Sequence, residues 1–416
     1  MKNQHLLFLA ILPLLTSCQL EEPLSPGEFS SLQDTLVLST MKHRGPGLFM
    51  IGAGSFRFRD TTHEFAKEWL TYPIQYPDGM DSLKVGFRVI AFDPFRFWGE
   101  PEPEPDTSGL SKDKSNTILA LSGIRGGEEI YIFDQNHNQD FRDDAVRTMG
   151  TMDWKPTEDL IPCYYTIEKG NGEMLQDTSW FRIGEFNGRL LSQSNNHVTS
   201  TFSIDDYEYQ IGVYDYNSSS FDWVRPQISV LSEGKLKRDT LLLRDYLDLG
   251  EHLKLGEYYY KFADFYSGDG TVVLVRDPDF DKKEAVQIDA LAPDFEFVSL
   301  NGDTLNKDGV KEDFLLITNF SGCTPRSYDV YQDILDADLK NFFVVGLESG
   351  LSVDLGGVTL DVENPFNEDM YEKYRSWYSS YDSYLIDKDG RIVDKFAIFD
   401  WEDHLKDFLD PEVFKN

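Results

Sequence analysis

Cations, histidines and cysteines are all scarce in this sequence. Its 416 residues contain 39 Lys and Arg against 73 Asp and Glu, so the formal net charge is -34. Nucleic acids and anionic lipid surfaces are bound by clustered Lys and Arg side chains. The composition therefore argues against both partners, whereas it favours solubility and the binding of divalent cations.

Several motifs that carry chemistry are also absent from the sequence. The 7 histidines form no H-x-x-H or H-E-x-x-H pair, so nothing indicates a zinc site. There is no glycine-rich phosphate loop and no G-x-S-x-G elbow of the kind that presents a nucleophilic serine. The three cysteines, Cys18, Cys163 and Cys323, lie far apart along the chain.

The sequence does contain enough apolar material to fold throughout. Apolar residues make up 40% of the chain and aromatic residues 14%, which is more than a disordered chain carries. A chain of 416 residues is too long for one ordinary domain, and the length predicts about two or three.

The N-terminus predicts export and a lipid anchor. Lys2 precedes an apolar run that is too short to span a membrane, and small residues follow that run. Together with Cys18 this segment resembles the signal peptide and lipobox of bacterial lipoproteins, in which that cysteine becomes the lipidated N-terminus. We therefore expect a signal peptide at 1–17, lipidation of Cys18 and a polar tether at 18–34.

The same resemblance predicts a place in the cell envelope. Gln19 is not the aspartate that is associated with retention in the inner membrane. We expect the outer membrane instead, on its periplasmic or surface side, with lipid as the only attachment. The alternative is an ordinary signal peptide with an incidental cysteine.

Residues 35–283 predict a β-rich region of one or more domains. Short segments rich in β-branched and aromatic residues are separated by Asp, Asn, Gly and Ser, which form turns. A Pro- and Glu-rich insert at 98–116 predicts an exposed loop. One helix is predicted, at "THEFAKEWL".

Between residues 291 and 416 the predicted strands alternate with helices. "LAPDFEFVSLNGDTL" predicts a hairpin with an Asn-Gly turn, and "DFLLITNF" a strand that is buried on both faces. Helices are predicted at "SYDVYQDILDADL", "NEDMYEKYRSWY" and "WEDHLKDFL", and strands at "FFVVGLE", "SYLID" and "RIVDKF". This order predicts a mixed sheet with helices on both faces.

Three motifs in this segment resemble thioredoxin-like domains of the membrane-attached thiol-disulfide oxidoreductase and redoxin type. "APDFEFVSLNGDTL" is similar to the family's opening, "FLLITNFSGCTPR" to its strand-loop-helix around the reactive cysteine, and "SYLIDKDGRIV" to its last hairpin. The resemblance implies thiol-disulfide exchange with Cys323 as the attacking thiol. It implies no cofactor for this domain.

The sequence departs from that family at the positions that support the reactive cysteine. Arg326 stands where a second cysteine resolves the mixed disulfide, and Tyr381 stands where a cis-proline holds the partner peptide. Because a non-proline cis bond costs about 3 kcal/mol, we expect a trans loop of different shape at Tyr381. Gly322 replaces a tryptophan, and Phe320 occupies the place of the Thr or Ser of peroxiredoxins.

These departures leave two interpretations of Cys323 open. The amides and dipole at the start of a helix favour thiolate over thiol, and Arg326 is a candidate cation beside it, so one-thiol exchange or redox sensing is possible. In the second interpretation, Cys323 has no redox role and the domain serves for binding or structure. Cys163 is a candidate resolving thiol, although a cysteine in a strand is more often a small buried hydrophobe.

One acidic loop predicts a calcium site. In "DQNHNQDFRDD" oxygen-bearing side chains alternate as they do in an EF-hand loop, but Gln139 replaces the glycine at the sixth position and Ala145 the glutamate at the twelfth. An Asx-rich turn without metal is the alternative, because the same residues form local hydrogen bonds. The candidate ligands are Asp134, Asn136, Asn138, Asp140, Asp143 and Asp144.

Taken together, these observations predict a multidomain protein. A β-rich N-terminal region, with the candidate calcium loop at 134–144, precedes a C-terminal α/β thioredoxin-like domain at 291–416. The predicted function is thiol-disulfide oxidoreductase-like exchange at the cell envelope with an unidentified protein or thiol substrate. The alternative is a non-catalytic envelope binding or scaffold protein.

Overall fold

The protein is strand-rich and has few helices. The computed structural model describes residues 28–29, 34–49, 54–55, 57–59, 75–89, 117–136, 138–148, 150–151, 160–168, 174–186, 189–194, 196–214, 226–266, 270–322, 324–337, 339–348, 354–375, 381–406 and 408. Among these residues no helix is long and apolar enough to cross a membrane.

The described residues up to Arg276 form twenty strands. They are β1 (Glu28–Phe29), β2 (Thr35–Ser39), β3 (Met41–Arg44), β4 (Gly54–Ser55), β5 (Arg57–Arg59), β6 (Ser82–Val89), β7 (Thr117–Arg125), β8 (Glu128–Phe133), β9 (Arg147–Thr148), β10 (Ile161–Glu168), β11 (Met174–Phe186), β12 (Arg189–Ser194), β13 (Asn196–Ile204), β14 (Tyr207–Tyr214), β15 (Gln227–Glu233), β16 (Leu236–Lys237), β17 (Leu247–Asp248), β18 (His252–Leu255), β19 (Tyr258–Tyr266) and β20 (Thr271–Arg276).

Two of the sheets formed by these strands pack into a sandwich. One has the order β1-β13-β14-β15-β16, with β3 beside β13 and β17 beside β15, and the other has the order β18-β19-β20-β2. Alternate residues of both sheets, such as Ile211 and Phe262, are fully buried in one shared cluster. This alternation is what a strand with one face towards the core requires.

Two further sheets complete the β-rich part. Their orders are β5-β6-β7-β8-β9 and β10-β11-β12-β4. Leu121, Ile132 and Phe141 belong to a separate buried cluster beside β7 and β8. The loop that holds the predicted calcium ligands follows β8 and includes Phe141.

The remaining described elements form a two-stranded hairpin, a five-stranded sheet and three α-helices. They are β21 (Glu296–Val298), β22 (Thr304–Asn306), β23 (Phe314–Phe320), α1 (Pro325–Asp336), β24 (Phe342–Glu348), β25 (Val358–Thr359), α2 (Glu368–Tyr374), β26 (Asp382–Asp387), β27 (Ile392–Ala397) and α3 (Trp401–Leu405).

The predicted mixed sheet with helices on both faces is confirmed for this part of the structure. The order is β25-β24-β23-β26-β27, with β23 parallel to β24 and antiparallel to β26. Leu315 packs in the cluster that contains Met370 of α2. Leu316 packs in the cluster that contains Ile334 of α1 and Leu405 of α3. Successive residues of the central strand therefore serve opposite faces.

The observed elements differ from the predicted ones mainly at their ends. All three helices finish earlier than predicted, and α1 begins at Pro325 because proline fits the first turn of a helix. The predicted tether is ordered in part: Glu28 and Phe29 pair with Ser203 and Ile204 of β13. The predicted helix at 62–70 and the loop at 98–116 lie outside the described residues.

The segment between β20 and β21 is held by both of its neighbours. The Gln287 side chain makes two hydrogen bonds to the backbone of His252, one as donor and one as acceptor. The Asp289 carboxylate accepts from Lys254 and Tyr259, while the Asp289 carbonyl accepts from Arg391 of the β26–β27 turn. These contacts join the sandwich to the α/β sheet.

Candidate functional site

The β23–α1 loop, defined as residues 321–324, connects the central strand of the α/β sheet to α1. β23 is buried along almost its whole length, and burial continues into Ser321. Gly322 is exposed and Thr324 is half-buried, so the chain reaches the surface here. Cys323, between them, lies outside the described residues. Pro325 then starts α1, because its fixed φ suits the first helical position.

A buried carboxylate binds the N-terminal side of the β23–α1 loop. Glu348, at the end of β24, is 2% exposed. Its Oε1 accepts from the Gly322 N–H at 2.9 Å and from the Tyr328 hydroxyl at 3.0 Å. A Cβ atom at Gly322 would lie 2.8 Å from that hydroxyl. A tryptophan, which the resemblance would place here, therefore does not fit at this position.

A buried serine ties the loop to the first turn of α1. The Ser327 Oγ accepts from the Ser321 N–H at 2.9 Å and donates to the Thr324 carbonyl oxygen at 2.8 Å. Ser327 is completely buried. The loop is thus held by side chains on both sides of Cys323.

Arg326, which the sequence resemblance places at the resolving position, is exposed. Its guanidinium carbon lies 5.3 Å from the centre of the Phe399 ring, which is within cation-π range. This contact places a cation at the first turn of α1. Its predicted role in stabilising a thiolate on Cys323 stays a prediction.

Tyr381 stands where the sequence resemblance places a cis-proline. Its φ is +51°, in the left-handed region that non-glycine residues rarely adopt. Its hydroxyl donates to the Thr324 Oγ1 at 2.7 Å, and its ring meets the Phe399 ring edge-on at 5.7 Å. No cis peptide bond occurs among the described residues, and Ser380, which precedes Tyr381, is not one of them.

Cys163 lies in β10, with its backbone opposite Ser179 of β11. Its side chain is outside the described part of the structure, as is the whole of Cys323. The expectation that Cys163 is a small hydrophobe in a strand therefore stays a prediction, as does its alternative role as a resolving thiol. Cys18 also lies outside the described residues.

The acidic loop folds around the carboxylate of Asp134, which is 1% exposed. Its two oxygens accept from the backbone N–H groups of Asn138 and Gln139, at 3.1 and 3.0 Å. Asp140 is bound through both oxygens by Arg142, and this ion pair lowers the pKa of Asp140. Such contacts belong to the metal-free turn that the sequence left as an alternative.

Two features of the same loop suit a cation. Gln139 has a φ of +62°, so the sixth position adopts the backbone that usually requires glycine. Asp144 Oδ2 is buried and has no hydrogen-bond partner among the described residues. Burial, and then the neighbouring carboxylates of Asp134 and Asp143, raise the pKa of Asp144 to about 7. A nearby cation would relieve this repulsion.

The remaining predicted ligands contact one another. The Asn138 side-chain amide donates to Asp143 at 2.8 Å, and the Asn136 amide donates to the same oxygen at 3.3 Å. No group of three or more His, Cys, Asp or Glu side chains that could hold a metal ion occurs within the described ranges. The six predicted ligands are therefore close in space, but their side chains are not arranged as a metal-binding group.

A buried polar cluster that sequence patterns did not reveal is centred on Lys395. Burial disfavours the charge on Lys395, but the carboxylates of Glu251 and Asp382 outweigh burial and raise its pKa. Burial raises the pKa of Tyr384, whose hydroxyl donates to Asp382 at 3.4 Å. Glu251 lies more than 100 residues away from the other three members, so no local spacing could have identified the complete cluster.

Comparison with known proteins gives structural similarity only. No family model matches the chain, and no curated protein matches it. Among solved structures, the chain is similar to thioredoxin-like domains of thiol-disulfide oxidoreductases. One is the thioredoxin domain of a thiol-disulfide oxidoreductase from Bacteroides vulgatus, with 15% identity and a TM-score of 0.25; the match covers 29% of this chain and 96% of that one.

Two further solved structures give similar values. A thiol:disulfide interchange protein from a Bacteroides species has 17% identity and a TM-score of 0.22, and the match covers 29% of this chain and 88% of that one. An exposed lipoprotein thioredoxin from Streptococcus pneumoniae has 18% identity and a TM-score of 0.23, with coverage of 28% and 99%. Less than a third of this chain is matched in each case.

Proposed function

We propose that this chain is a cell-envelope lipoprotein that carries out thiol-disulfide exchange through a single cysteine, Cys323. In this proposal a β-rich N-terminal region precedes a C-terminal thioredoxin-like domain, and lipid on Cys18 is the anchor. The observation that carries the proposal is the position of Cys323 between a buried central strand and the proline-started helix α1. A sulfur at a helix N-terminus is favoured as thiolate.

The proposed exchange needs one thiol from this chain and one from outside. The Cys323 thiolate attacks one sulfur of a partner's disulfide, and the other sulfur leaves as a thiolate. This gives a mixed disulfide between Cys323 and the partner. Arg326 stands at the resolving position, so a second thiol from solution or from another protein attacks the mixed disulfide and releases Cys323.

Glutathione disulfide provides a direct test of this exchange. The full-length protein is incubated with glutathione disulfide, and the peptide that contains Cys323 is followed by mass spectrometry. We expect a glutathione adduct on Cys323 that is reversed by added thiol. Cys163→Ser should leave the adduct unchanged, and Cys323→Ser should remove it.

The rival function is a non-catalytic envelope binding or scaffold protein. It is favoured by the hydrogen bond between Tyr381 and Thr324, because that bond fills the place where related domains hold a partner peptide. Under this alternative, glutathione disulfide would modify a free-cysteine peptide under conditions that leave Cys323 unmodified.

We also propose that the acidic loop binds calcium, with Asp134, Asp140 and Asp144 among its ligands. The proposal is supported by the left-handed backbone at Gln139 and by the unpartnered oxygen of Asp144. Binding requires Asp140 to exchange its Arg142 partner for the ion.

The calcium proposal is tested by melting the protein with and without a chelator. An ion that binds only the folded state stabilises it, so chelator should lower the melting temperature. Replacing Asp134 and Asp140 by Asn should abolish that sensitivity, while Asp403→Asn, at an exposed site in α3, should retain it. If chelator leaves the melting temperature of the wild-type protein unchanged, the proposal that this loop binds calcium is refuted.

A further inference from the structure

A pair of stacked histidines joins one edge of the sandwich to the turn that follows β3. His43 of β3 and His197 of β13 lie opposite each other in the sheet, and their ring centroids are 4.9 Å apart. The His197 Nδ1 donates to the Gly45 carbonyl oxygen at 2.7 Å, since a carbonyl oxygen can only accept. The His43 Nε2 and the Thr199 hydroxyl share a hydrogen bond of 2.7 Å. Both rings therefore hold β3 and the following turn against β13.

The turn at residues 45–49, here called the latch loop, covers the His197 ring. Val198, the next residue of β13, packs in the core of the sandwich, so His197 faces outward. A Cβ atom at Gly47 would lie 2.8 Å from the His197 Nε2, which leaves no space for a side chain. The φ of Gly47 is +61°, which glycine adopts readily. The latch loop thus lies against the Nε2 edge of the ring.

The latch loop ends in a buried aromatic residue, Phe49, which is 4% exposed. Its ring stacks on that of Tyr214 with centroids 5.5 Å apart. It also lies over Gly212 of β14, where a Cβ atom would be 2.9 Å from the ring, so this strand position requires glycine. The cluster that buries Phe49 contains Tyr214, Leu231, Leu241 and Tyr246. Withdrawal of Phe49 would uncover an apolar pocket between these side chains.

Protonation of His197 conflicts with the closed position of the latch loop. The neutral ring carries its proton on Nδ1, so the second proton must go to Nε2, on the edge that faces Gly47. Burial, and then the charge of His43, lower the pKa of His197 against the opposing effect of its bond to Gly45. Release of the latch loop hydrates the ring, so the open form takes up a proton at a higher pH than the closed form. Acid therefore favours release.

The other charged groups of the packed elements are directed elsewhere or already have partners. Lys42 and Arg44 alternate with His43 along β3 and so point to its other face. The titratable side chains on the sheet beneath the latch loop and in the segment up to β17 are those of Tyr214, Arg238, Asp245, Tyr246 and Asp248. Both carboxylates in this set accept hydrogen bonds, one from Arg238 and the other from Gln227. When both histidines are charged, two like charges lie on rings 4.9 Å apart.

We propose that the His43–His197 pair is an acid-sensitive latch, which on protonation releases the latch loop from the outer face of the sandwich and withdraws Phe49 from its pocket. The sandwich itself stays folded, because its core is a separate cluster between the inward faces of the two sheets. Acid thereby uncovers an apolar, aromatic pocket on the β-rich part of the protein. This device is independent of Cys323 and of thiol exchange.

Hydrogen-deuterium exchange of the full-length protein between pH 7 and pH 5 tests the latch. Dividing the exchange rate of the same peptide in unfolded form by that of residues 41–49 gives the protection of this segment at each pH. We expect that protection to fall by up to about tenfold per pH unit for each proton taken up, because release is linked to protonation. A peptide from β19, in the sandwich core, should keep its protection. A protection of 41–49 that does not change with pH, or equal losses in both peptides, would overturn the proposal.

Glutamine variants identify the groups that take up the protons. His197→Gln keeps an N–H donor for Gly45 but cannot be charged, so the loss of protection at 41–49 should become shallower. Adding His43→Gln should abolish the loss. His252→Gln is the matched control: burial also lowers the pKa of His252, but it lies in the other sheet of the sandwich and should leave the loss at 41–49 as in wild type.

Protection of the β19 peptide at pH 7 shows whether each variant is folded. Should His197→Gln fail this check, His43→Gln alone carries the same expectation, because it leaves the hydrogen bond between His197 and Gly45 in place. A folded variant without the histidine pair that loses protection at 41–49 as steeply as wild type would refute the latch.

Discussion

At the scale of single residues, side chains from outside the β23–α1 loop hold that loop in place. Glu348 binds the Gly322 N–H, Ser327 binds the Ser321 N–H, and Tyr381 binds the Thr324 hydroxyl. Glu348 and Ser321 are buried, and leaving their polar groups without a partner would cost about 1–3 kcal/mol each. The atoms on either side of Cys323 are therefore fixed independently of Cys323.

The sequence could indicate only part of this arrangement. Cys323, Arg326 and Tyr381 were identified because a resemblance assigned roles to their positions. Glu348 and Thr324 carried no such signal, because their partners lie 26 and 57 residues away along the chain. A single sequence does not reveal contacts at that separation.

One prediction at the residue scale concerns His197 in β13. Burial lowers the pKa of His197, whose ring donates to the Gly45 carbonyl oxygen and stacks on His43 at 4.9 Å. The unfolded chain then binds more protons than the folded one below the ordinary histidine pKa of about 6.5. This contribution to stability is present above that pH and is lost as the pH falls towards the folded pKa.

Melting temperatures between pH 7 and pH 5 test this prediction. The melting temperature should fall with pH in the wild-type protein and fall less steeply in His197→Gln. His252→Gln should flatten the slope as well, because burial also lowers the pKa of His252, and the two effects should add in the double variant. If the melting temperature of His197→Gln depends on pH as steeply as that of wild type, His197 does not contribute to the pH dependence.

At the scale of elements, Asp394 of β27 joins three parts of the chain. Its carboxylate, 7% exposed, accepts from Arg244, which follows β16, and from His404 of α3, at 3.0 and 2.8 Å. Arg244 is 150 residues away from Asp394. The contact therefore links the β-rich part directly to the α/β sheet.

Replacing Asp394 by alanine should destabilise the protein by about 2 kcal/mol, because two donors lose a buried charged acceptor. Asp403→Ala is the control: its carboxylate is 86% exposed and pairs only with neighbouring Lys406, so removing it should cost about 0–1 kcal/mol. Chemical denaturation of both variants measures the difference. Equal stability of the two variants would show that the Asp394 contacts contribute little.

Most elements of the α/β sheet were predictable, whereas the pairing of sheets in the β-rich part was not. The run from Phe314 to Phe320 is apolar throughout, and such a run indicates a strand covered on both faces. In the sandwich, by contrast, β2 pairs with β20 across more than 230 residues. Alternating apolar residues indicate a strand and its buried face, but they do not identify its partner.

At the scale of the whole molecule, the proposed lipid anchor and the strong negative charge have opposite effects on attachment to a membrane. The charge of -34 disfavours an anionic membrane surface. Attachment would therefore depend on the lipid proposed at Cys18. Glu28, the first residue that the structure describes, lies ten positions after Cys18 in the sequence.

Fractionation of bacteria that express the chain tests the anchor. The wild-type protein should incorporate a labelled fatty acid and sediment with membranes. Cys18→Ser should lose the label, whereas Cys163→Ser should keep it. A Cys18→Ser protein that still incorporates fatty acid would exclude lipidation at this residue.

The central claim is that Cys323 is an accessible thiol with an acidity enhanced by α1. The decisive measurement is the rate of iodoacetamide labelling of Cys323 in the full-length protein as a function of pH. We predict a thiol pKa clearly below the reference of about 8.5. A pKa at or above that reference, or labelling slower than that of a free-cysteine peptide at every pH, would contradict the account.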